Sequence, residues 1–286
     1  MLSNFDVQGA SKTSDGIVEI CGMCGIAGYS VGPESQVPRT LAAQALLAGI
    51  AERGADAVGY AHRSGNARVV VHKQRTGATE LLEAIAVPGD AKQVLLHVRD
   101  HTKGHPSIEA NNHPIRHGSV VGVHNGVIAN DEELFERHGF ERAHPEMTVD
   151  SEAIFALMEA HESKAKALEE LRGAMATAWL DEREPTTLNL ARGVARPLWI
   201  GRGRHEVFFA STRAALEVVE DTLRLGLLKR EVAEGRVLRL VAGRVVAEER
   251  FRPDRTFRED SPLPAVRAPD EGATCLERLA VIAALA

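Results

Sequence analysis

Cysteine is scarce in this chain of 286 residues: three stand at positions 21, 24 and 275. An odd number, with no export signal in view, argues against a disulfide framework. Cys21-Gly-Met-Cys24 spells C-x-x-C, but a zinc site needs a second ligand pair at suitable spacing, and none follows. A thioredoxin-like site needs the motif between a strand and a helix. No metal and no cofactor is therefore expected. Long apolar runs are also missing. Nothing approaches the roughly 18–20 residues required to span a bilayer. The first 22 residues are polar and mildly acidic and lack the apolar stretch of a secretory signal, so the expected address is the cytoplasm. Nor is there an excess of one charge. The net charge is −6, which asks for neither nucleic acid nor an anionic membrane as partner.

What is present is an ordinary globular composition, 44% apolar and 26% charged, in a length that suits one large domain with extensions. Three regions are expected: a leader over 1–23, a patterned body over 24–252, and a Pro- and charge-rich tail over 253–286. The tail ends in ATCLERLAVIAALA, which predicts a short apolar helix that docks on the body or on a partner. Within the body, eleven strand-like runs extend from Cys24–Ser30 to Arg244–Glu248, many in adjacent pairs. Helical patterns occupy about 38–52, 76–86, 131–137, 150–171 and 212–220, with Asp150 a plausible N-cap. Paired strands and clustered helices predict an α+β fold with antiparallel sheets.

Five segments carry residue types suited to chemistry. The first is Met23-Cys24-Gly25-Ile26-Ala27-Gly28. Alone, a cysteine opening a strand reads most simply as a small buried hydrophobe. A thiol, with an unperturbed pKa near 8.5, needs a base at neutral pH. If Cys24 were the first residue, its own α-amine, with a pKa of about 7.7–8.0, would be poised to take that proton. Met23 makes such a start accessible by initiation there and methionine removal; cleavage of a 23-residue propeptide is the alternative.

The second segment, Glu52 to Ala61, is a glycine-bearing turn in which Arg53 and Asp56 are placed to pair. In the third, His97-Val98-Arg99-Asp100-His101-Thr102-Lys103-Gly104, a strand ends on an arginine suited to bidentate capture of a carboxylate. It leads into Asn111-Asn112-His113-Pro114. The fourth, His124-Asn125-Gly126, reads both as a hairpin turn and as an oxyanion hole, a side-chain amide beside an unencumbered backbone N–H. The fifth, Thr148-Val149-Asp150-Ser151-Glu152, reads as a helix start whose carboxylate is also able to bind an ammonium group. Together they supply what is needed to grip an α-amino acid and cleave its side-chain amide.

MCGIAG, RGADAVGYA, HVRDHTKG, NNHP, HNGVIAN and TVDSE, in that order and spacing, resemble the class II glutamine amidotransferases, a branch of the N-terminal nucleophile hydrolases. GVARPLWIG and VFFASTRAAL extend the likeness to roughly 24–215. It is nearer to the glutaminase domain of glucosamine-6-phosphate synthase than to that of asparagine synthetase. The resemblance implies a four-layer αββα sandwich and a glutaminase that forms a γ-glutamyl thioester. It implies Cys24 as nucleophile with its α-amine as base, Arg99 and Thr102 on the α-carboxylate of L-glutamine, and Asp150 on the α-ammonium. Asn125 and Gly126 would form the oxyanion hole, with Arg53 and His113 in support.

Two departures stand out. Asp100 replaces an aromatic residue and His101 a small one, so closure of the glutamine loop is expected to differ. The chain also has no evident room for a synthase domain, so a separate ammonia-accepting enzyme is expected, recruited with help from the tail. An amidohydrolase of another γ-glutamyl compound, or a silent regulatory protein of the same fold, are the competing readings.

Overall fold

The computed structural model describes residues 24–64, 68–258 and 266–285; the expected leader at 1–23, with Cys21 and Met23, lies outside them. From β1 (Gly25–Val31) the chain runs through α1 (Arg39–Ile50), β2 (Ala57–Ser64), β3 (Val70–Gln74), α2 (Ala78–Ala84) and β4 (Ala91–Arg99). Next come β5 (Ile115–His117), β6 (Val120–Ile128), α3 (Asp131–His138), α4 (Glu152–Ala160), β7 (Gly173–Asp181) and β8 (Thr187–Arg192). Then follow β9 (Trp199–Arg202), β10 (Glu206–Ala210), α5 (Arg213–Leu223), β11 (Leu228–Glu231), β12 (Arg236–Val241), β13 (Arg244–Arg250) and α6 (Pro269–Leu285).

The strands form two antiparallel sheets, ordered β11-β9-β10-β1-β4-β2-β3 and β13-β12-β8-β7-β6-β5. Side-chain alternation along each strand decides the layering. In β1, Ala27, Tyr29 and Val31 face the helices, packing with Leu46, Leu47 and Ile50 of α1, whereas Ile26 turns inward. In β4, Val94, Leu96 and Val98 face the same helices, and Leu95 points into the gap. There it joins Val121, Val123, Ala176 and Ala178 of the second sheet. The far face of that sheet, including Trp179, is covered by α4 through Ile154, Phe155 and Met158. Helices, sheet, sheet, helices: the expected αββα sandwich is the observed one.

The sequence pattern and the structure part in three places. The helix expected over 150–171 is broken: α4 stops at Ala160, and a short 3-10 turn, Ala165–Glu170, follows Glu162 and Ser163, both at positive φ. The break is tertiary in origin. Ser163 is buried, donating from its hydroxyl to Asp181 and accepting from the Trp179 indole N–H. Asp150 is not the helix cap; Ser151 takes that position, and no side chain caps α4. Asn125-Gly126 is not a hairpin turn. Both residues lie inside β6, opposite Ala176 and Met175 of β7.

Helix α6 docks on the body. It packs against α1, α2 and the turn Ala51–Arg53, burying Cys275 and Leu279. Each fully buried side chain of leucine size contributes about 1.5–3 kcal/mol, and three polar contacts fix the helix in place. Glu271 accepts from the Thr79 N–H at 2.6 Å, Arg278 meets Glu83 at 2.7 Å, and the Cys275 sulfur lies 3.3 Å from the Thr79 hydroxyl.

Candidate active site

Register places the functional segments together. Gly25 of β1 pairs with Val98 of β4, so Cys24 at the start of one strand comes beside Arg99 and Asp100 at the end of the other. From the facing sheet β6 presents Asn125, which is fully buried. Cys24, Arg99, Thr102, His113, Gly126 and Asp150 line a single cleft.

Cys24 is held at three atoms. Its backbone nitrogen donates to Asn125 Oδ1 at 3.3 Å, its Sγ–H to the Asp100 carbonyl at 3.4 Å, and its own carbonyl accepts from Arg53 Nε at 2.9 Å. Burial pushes the thiol pKa up to about 11, against the opposing pull of the Asp100 hydrogen bond and the Arg99 charge. Such a thiol carries almost no thiolate at neutral pH and requires a neighbouring base.

The Cys24 N–H fixes the orientation of the Asn125 amide. With Oδ1 accepting from Cys24, Nδ2 points away, and it is buried without a hydrogen-bond partner among the described residues. A buried amide donor left unsatisfied costs about 1–3 kcal/mol, so a native site keeps one for a reason. Next to it, Gly126 has φ +146, and a Cβ there would lie 1.8 Å from the Ala174 carbonyl oxygen. Only glycine fits.

Arg99 is buried at the end of β4. One of its terminal nitrogens donates to Asn112 Oδ1 and the other to the carbonyls of Lys103 and Gly104. Three of the five guanidinium N–H donors are so committed among the described residues, leaving two for a ligand. Asn112 in turn donates to the Pro106 carbonyl at 2.8 Å, so the 100–112 loop folds around Arg99. Gly54 allows this loop to begin where it does. A Cβ at Gly54 would meet the Arg99 carbonyl at 2.5 Å, and Asp56 N–H donates to that same oxygen at 2.9 Å.

The loop rim is pinned by charge. His101 donates its N–H to Asp56 Oδ2 at 2.9 Å and places Nδ1 2.6 Å from the same oxygen. Lys103 reaches both carboxylate oxygens of Asp131 and one of Glu132. Asp100 accepts from Arg267 Nε at 2.8 Å. Thr102 sits exposed among these contacts. The Arg53–Asp56 pairing expected across the turn gives way to Arg53 on Cys24 and Asp56 on His101.

Asp150 Oδ2 accepts from the Ile128 N–H at 2.6 Å, which turns the carboxylate toward the end of β6. Burial raises its pKa to about 6, with the Ile128 hydrogen bond working the other way. Beneath the cleft lie three buried imidazoles, His97, His113 and His124, all lowered by burial; His97 and His124 fall to about 3. They are neutral at pH 7. His97 stacks on His113 at 4.1 Å and contacts the His124 carbonyl; His124 Nδ1 contacts the Ser151 hydroxyl at 2.8 Å.

All eight residues expected from sequence thus converge. Sequence reasoning gave no role to Asn112, to His97 and His124, or to Ser211, whose hydroxyl accepts from the Ile26 N–H at 2.9 Å and anchors β1 just after the cysteine. Each stands inside a motif already singled out, and that was their signal.

A sandwich of two antiparallel sheets with a cysteine opening an inner strand is the architecture of the N-terminal nucleophile amidotransferases. Solved structures agree on the fold. The glutamine phosphoribosylpyrophosphate amidotransferase from B. subtilis, complexed with ADP and GMP, matches with a TM-score of 0.60 at 22% identity, over 79% of this chain and 49% of that one. A structure described as the allosteric regulatory enzyme of purine biosynthesis matches with a TM-score of 0.63, at the same identity and coverage.

In sequence, the family described as "Glutamine amidotransferase domain" matches residues 84–218. Glutamine–fructose-6-phosphate aminotransferase [isomerizing] of Vibrio parahaemolyticus is 32% identical over 209 residues, and that of Haemophilus ducreyi 35% over 211. Each alignment covers 68% of this chain and 32% of the relative, so the chain spans about a third of the length of the curated relatives it matches. The chain belongs to the class II glutamine amidotransferases.

Proposed function

We propose that this chain hydrolyses the side-chain amide of L-glutamine through a thioester on Cys24, releasing glutamate, and ammonia for a separate acceptor enzyme. The observation that carries the proposal is the Asn125 amide: one end holds the Cys24 nitrogen, and the other is a buried donor without a partner. That is the arrangement an oxyanion hole requires, a preorganised donor waiting for charge that appears only during reaction.

With Cys24 as first residue, its neutral α-amine takes the thiol proton, and the thiolate attacks the side-chain carbonyl carbon of glutamine. The carbonyl oxygen becomes an oxyanion between Asn125 Nδ2 and the Gly126 N–H. The tetrahedral species collapses, the C–N bond breaks, and ammonia leaves with the proton held by the α-ammonium. Water, deprotonated by the same amine, then attacks the thioester; the C–S bond breaks, giving glutamate and the free thiol. The two remaining Arg99 donors hold the α-carboxylate with Thr102 assisting, and Asp150 holds the α-ammonium. Arg53 fixes the backbone of the nucleophile from one side, and His113 packs under the loop from the other. The pKa of about 11 supports an external base for the thiol, and an α-amine on the same residue is the nearest one available.

The test is glutamine turnover by protein whose first residue has been read by mass spectrometry, with the Cys24→Ala variant alongside. Turnover together with a γ-glutamyl adduct on Cys24 of about +129 Da, one glutamine less one ammonia, is expected of the parent, and neither is expected of the variant. Protein that begins at Cys24 and leaves glutamine intact, or a Cys24→Ala variant that still turns it over, rejects the reading.

A further inference from the structure

The C-terminal segment touches the nucleophile's surroundings from two directions. Immediately before α6, the backbone N–H groups of Arg267 and Ala268 both donate to the Glu52 carbonyl at 2.9 Å. Glu52 adjoins Arg53, whose Nε holds the Cys24 carbonyl. The Arg267 side chain reaches Asp100 Oδ2 at 2.8 Å, and the Asp100 carbonyl is the acceptor for the Cys24 thiol. The carboxylate of Asp100 is what gives Arg267 something to grip.

The anchoring of this segment is specific. Gly272 lets α6 approach the turn, since a Cβ at that position would lie 2.7 Å from Glu52 Cβ. Glu271, Cys275, Leu279 and Arg278 then seat the helix on α1 and α2. The Arg267–Asp100 pair is partly shielded, with side chains 36% and 16% exposed.

We infer that Arg267, delivered by the docked α6, is a positioning residue for Cys24. By holding Asp100 it fixes the carbonyl that orients the thiol, and by capping Glu52 it steadies the turn that holds the nucleophile's backbone. This deepens the proposed glutaminase reading of the same site and rests on it for its link to turnover. The segment is therefore part of the site's construction within the same chain.

The test measures two quantities in full-length protein starting at Cys24: kcat and KM for glutamine, and the rate of Cys24 alkylation by iodoacetamide, read at peptide level. Arg267→Ala lowers both kcat and the alkylation rate by about two- to fivefold, the range for a partly exposed ion pair, with KM nearly unchanged. Arg267→Lys restores most of the loss. Raising salt to about 1 M, where screening acts within a few ångströms, brings the parent down toward Arg267→Ala and leaves that variant unmoved. A merely structural role would lower the melting temperature and the active fraction without this salt response. Asp100→Asn, which leaves the Glu52 contacts of Arg267 and Ala268 in place, gives the same loss, and combining it with Arg267→Ala adds little.

Unchanged kcat and alkylation in Arg267→Ala, or effects of the two substitutions that simply multiply, overturns the inference. If the parent turns over no glutamine while the alkylation rates still differ as stated, the glutaminase reading falls and the coupling of Arg267 to Cys24 stands.

Discussion

The two halves of the cleft are built by different means. The strand-borne half on β6, with Asn125 buried and Gly126 partly so, is fixed by the β7 ladder on one side and lies beside neutral imidazoles. The loop-borne half, residues 100–104, is half exposed and held by hydrogen bonds to Asp56 and by ion pairs to Asp131 and Arg267. A ladder of backbone bonds specifies position tightly and yields only to large insults, whereas exposed ion pairs are each worth about 0–1 kcal/mol and are screened by salt. The rigid half suits the stabilisation of developing charge, which depends on fixed donors. The adjustable half suits admission and release of a ligand. Arg99 stands at the junction, rooted at the end of β4 and wrapped by the loop.

This contrast fixes an order of effects. Asn125→Ala removes the unpartnered donor from the rigid half, and kcat falls about 10²–10³-fold with a small change in KM; steady-state kinetics on the variant checks this, and a loss below tenfold breaks the contrast. Asp150 gives a smaller, graded effect. It must be ionised to hold an ammonium group, and its raised pKa of about 6 puts protonation within easy reach. The sign follows: affinity is level above pH 6 and falls as the pH drops through it. The Kd of the Cys24→Ala protein for L-glutamine therefore rises about tenfold per pH unit on the acid side, as calorimetry from pH 4.5 to 8 will show. Using that variant keeps the titration of the nucleophile's own base out of the chemistry, and a level Kd down to pH 4.5 removes Asp150 from the binding role. Least affected is the rim. Asp56→Asn breaks the pair to His101 and changes kcat/KM by no more than about threefold, within the range of exposed ion pairs. A loss near that of Asn125→Ala would erase the distinction between the halves.

Much of this was legible in the sequence, for a physical reason. Residues that line the cleft sit at the starts and ends of elements, where pattern breaks are visible: Cys24 before an apolar run, Arg99 after one, Asp150 before a helix. What stayed hidden was decided by distant partners. The three-residue β5, Ile115–His117, and the charged β11, Leu228–Glu231, carry no alternation of their own and become strands only because β6 and β9 are there to pair with them. Asn-Gly, a turn by local preference, is kept extended by β7 and by the close Ala174 carbonyl. The helix over 150–171 was broken by Trp179 and Asp181, and the Arg267–Asp100 contact joins residues 167 apart in the chain. No window of sequence holds both ends of such contacts.

That last separation has a consequence in time. Cys24 and Arg267 flank the same residue, Asp100, yet they lie far apart along the chain. A ribosome adding about 5–20 residues per second delivers Arg267 on the order of ten to fifty seconds after Cys24. Through that interval the nascent chain carries its thiol without the arginine that completes its setting, so the order of synthesis leaves Cys24 about two- to fivefold less reactive until Arg267 has been added.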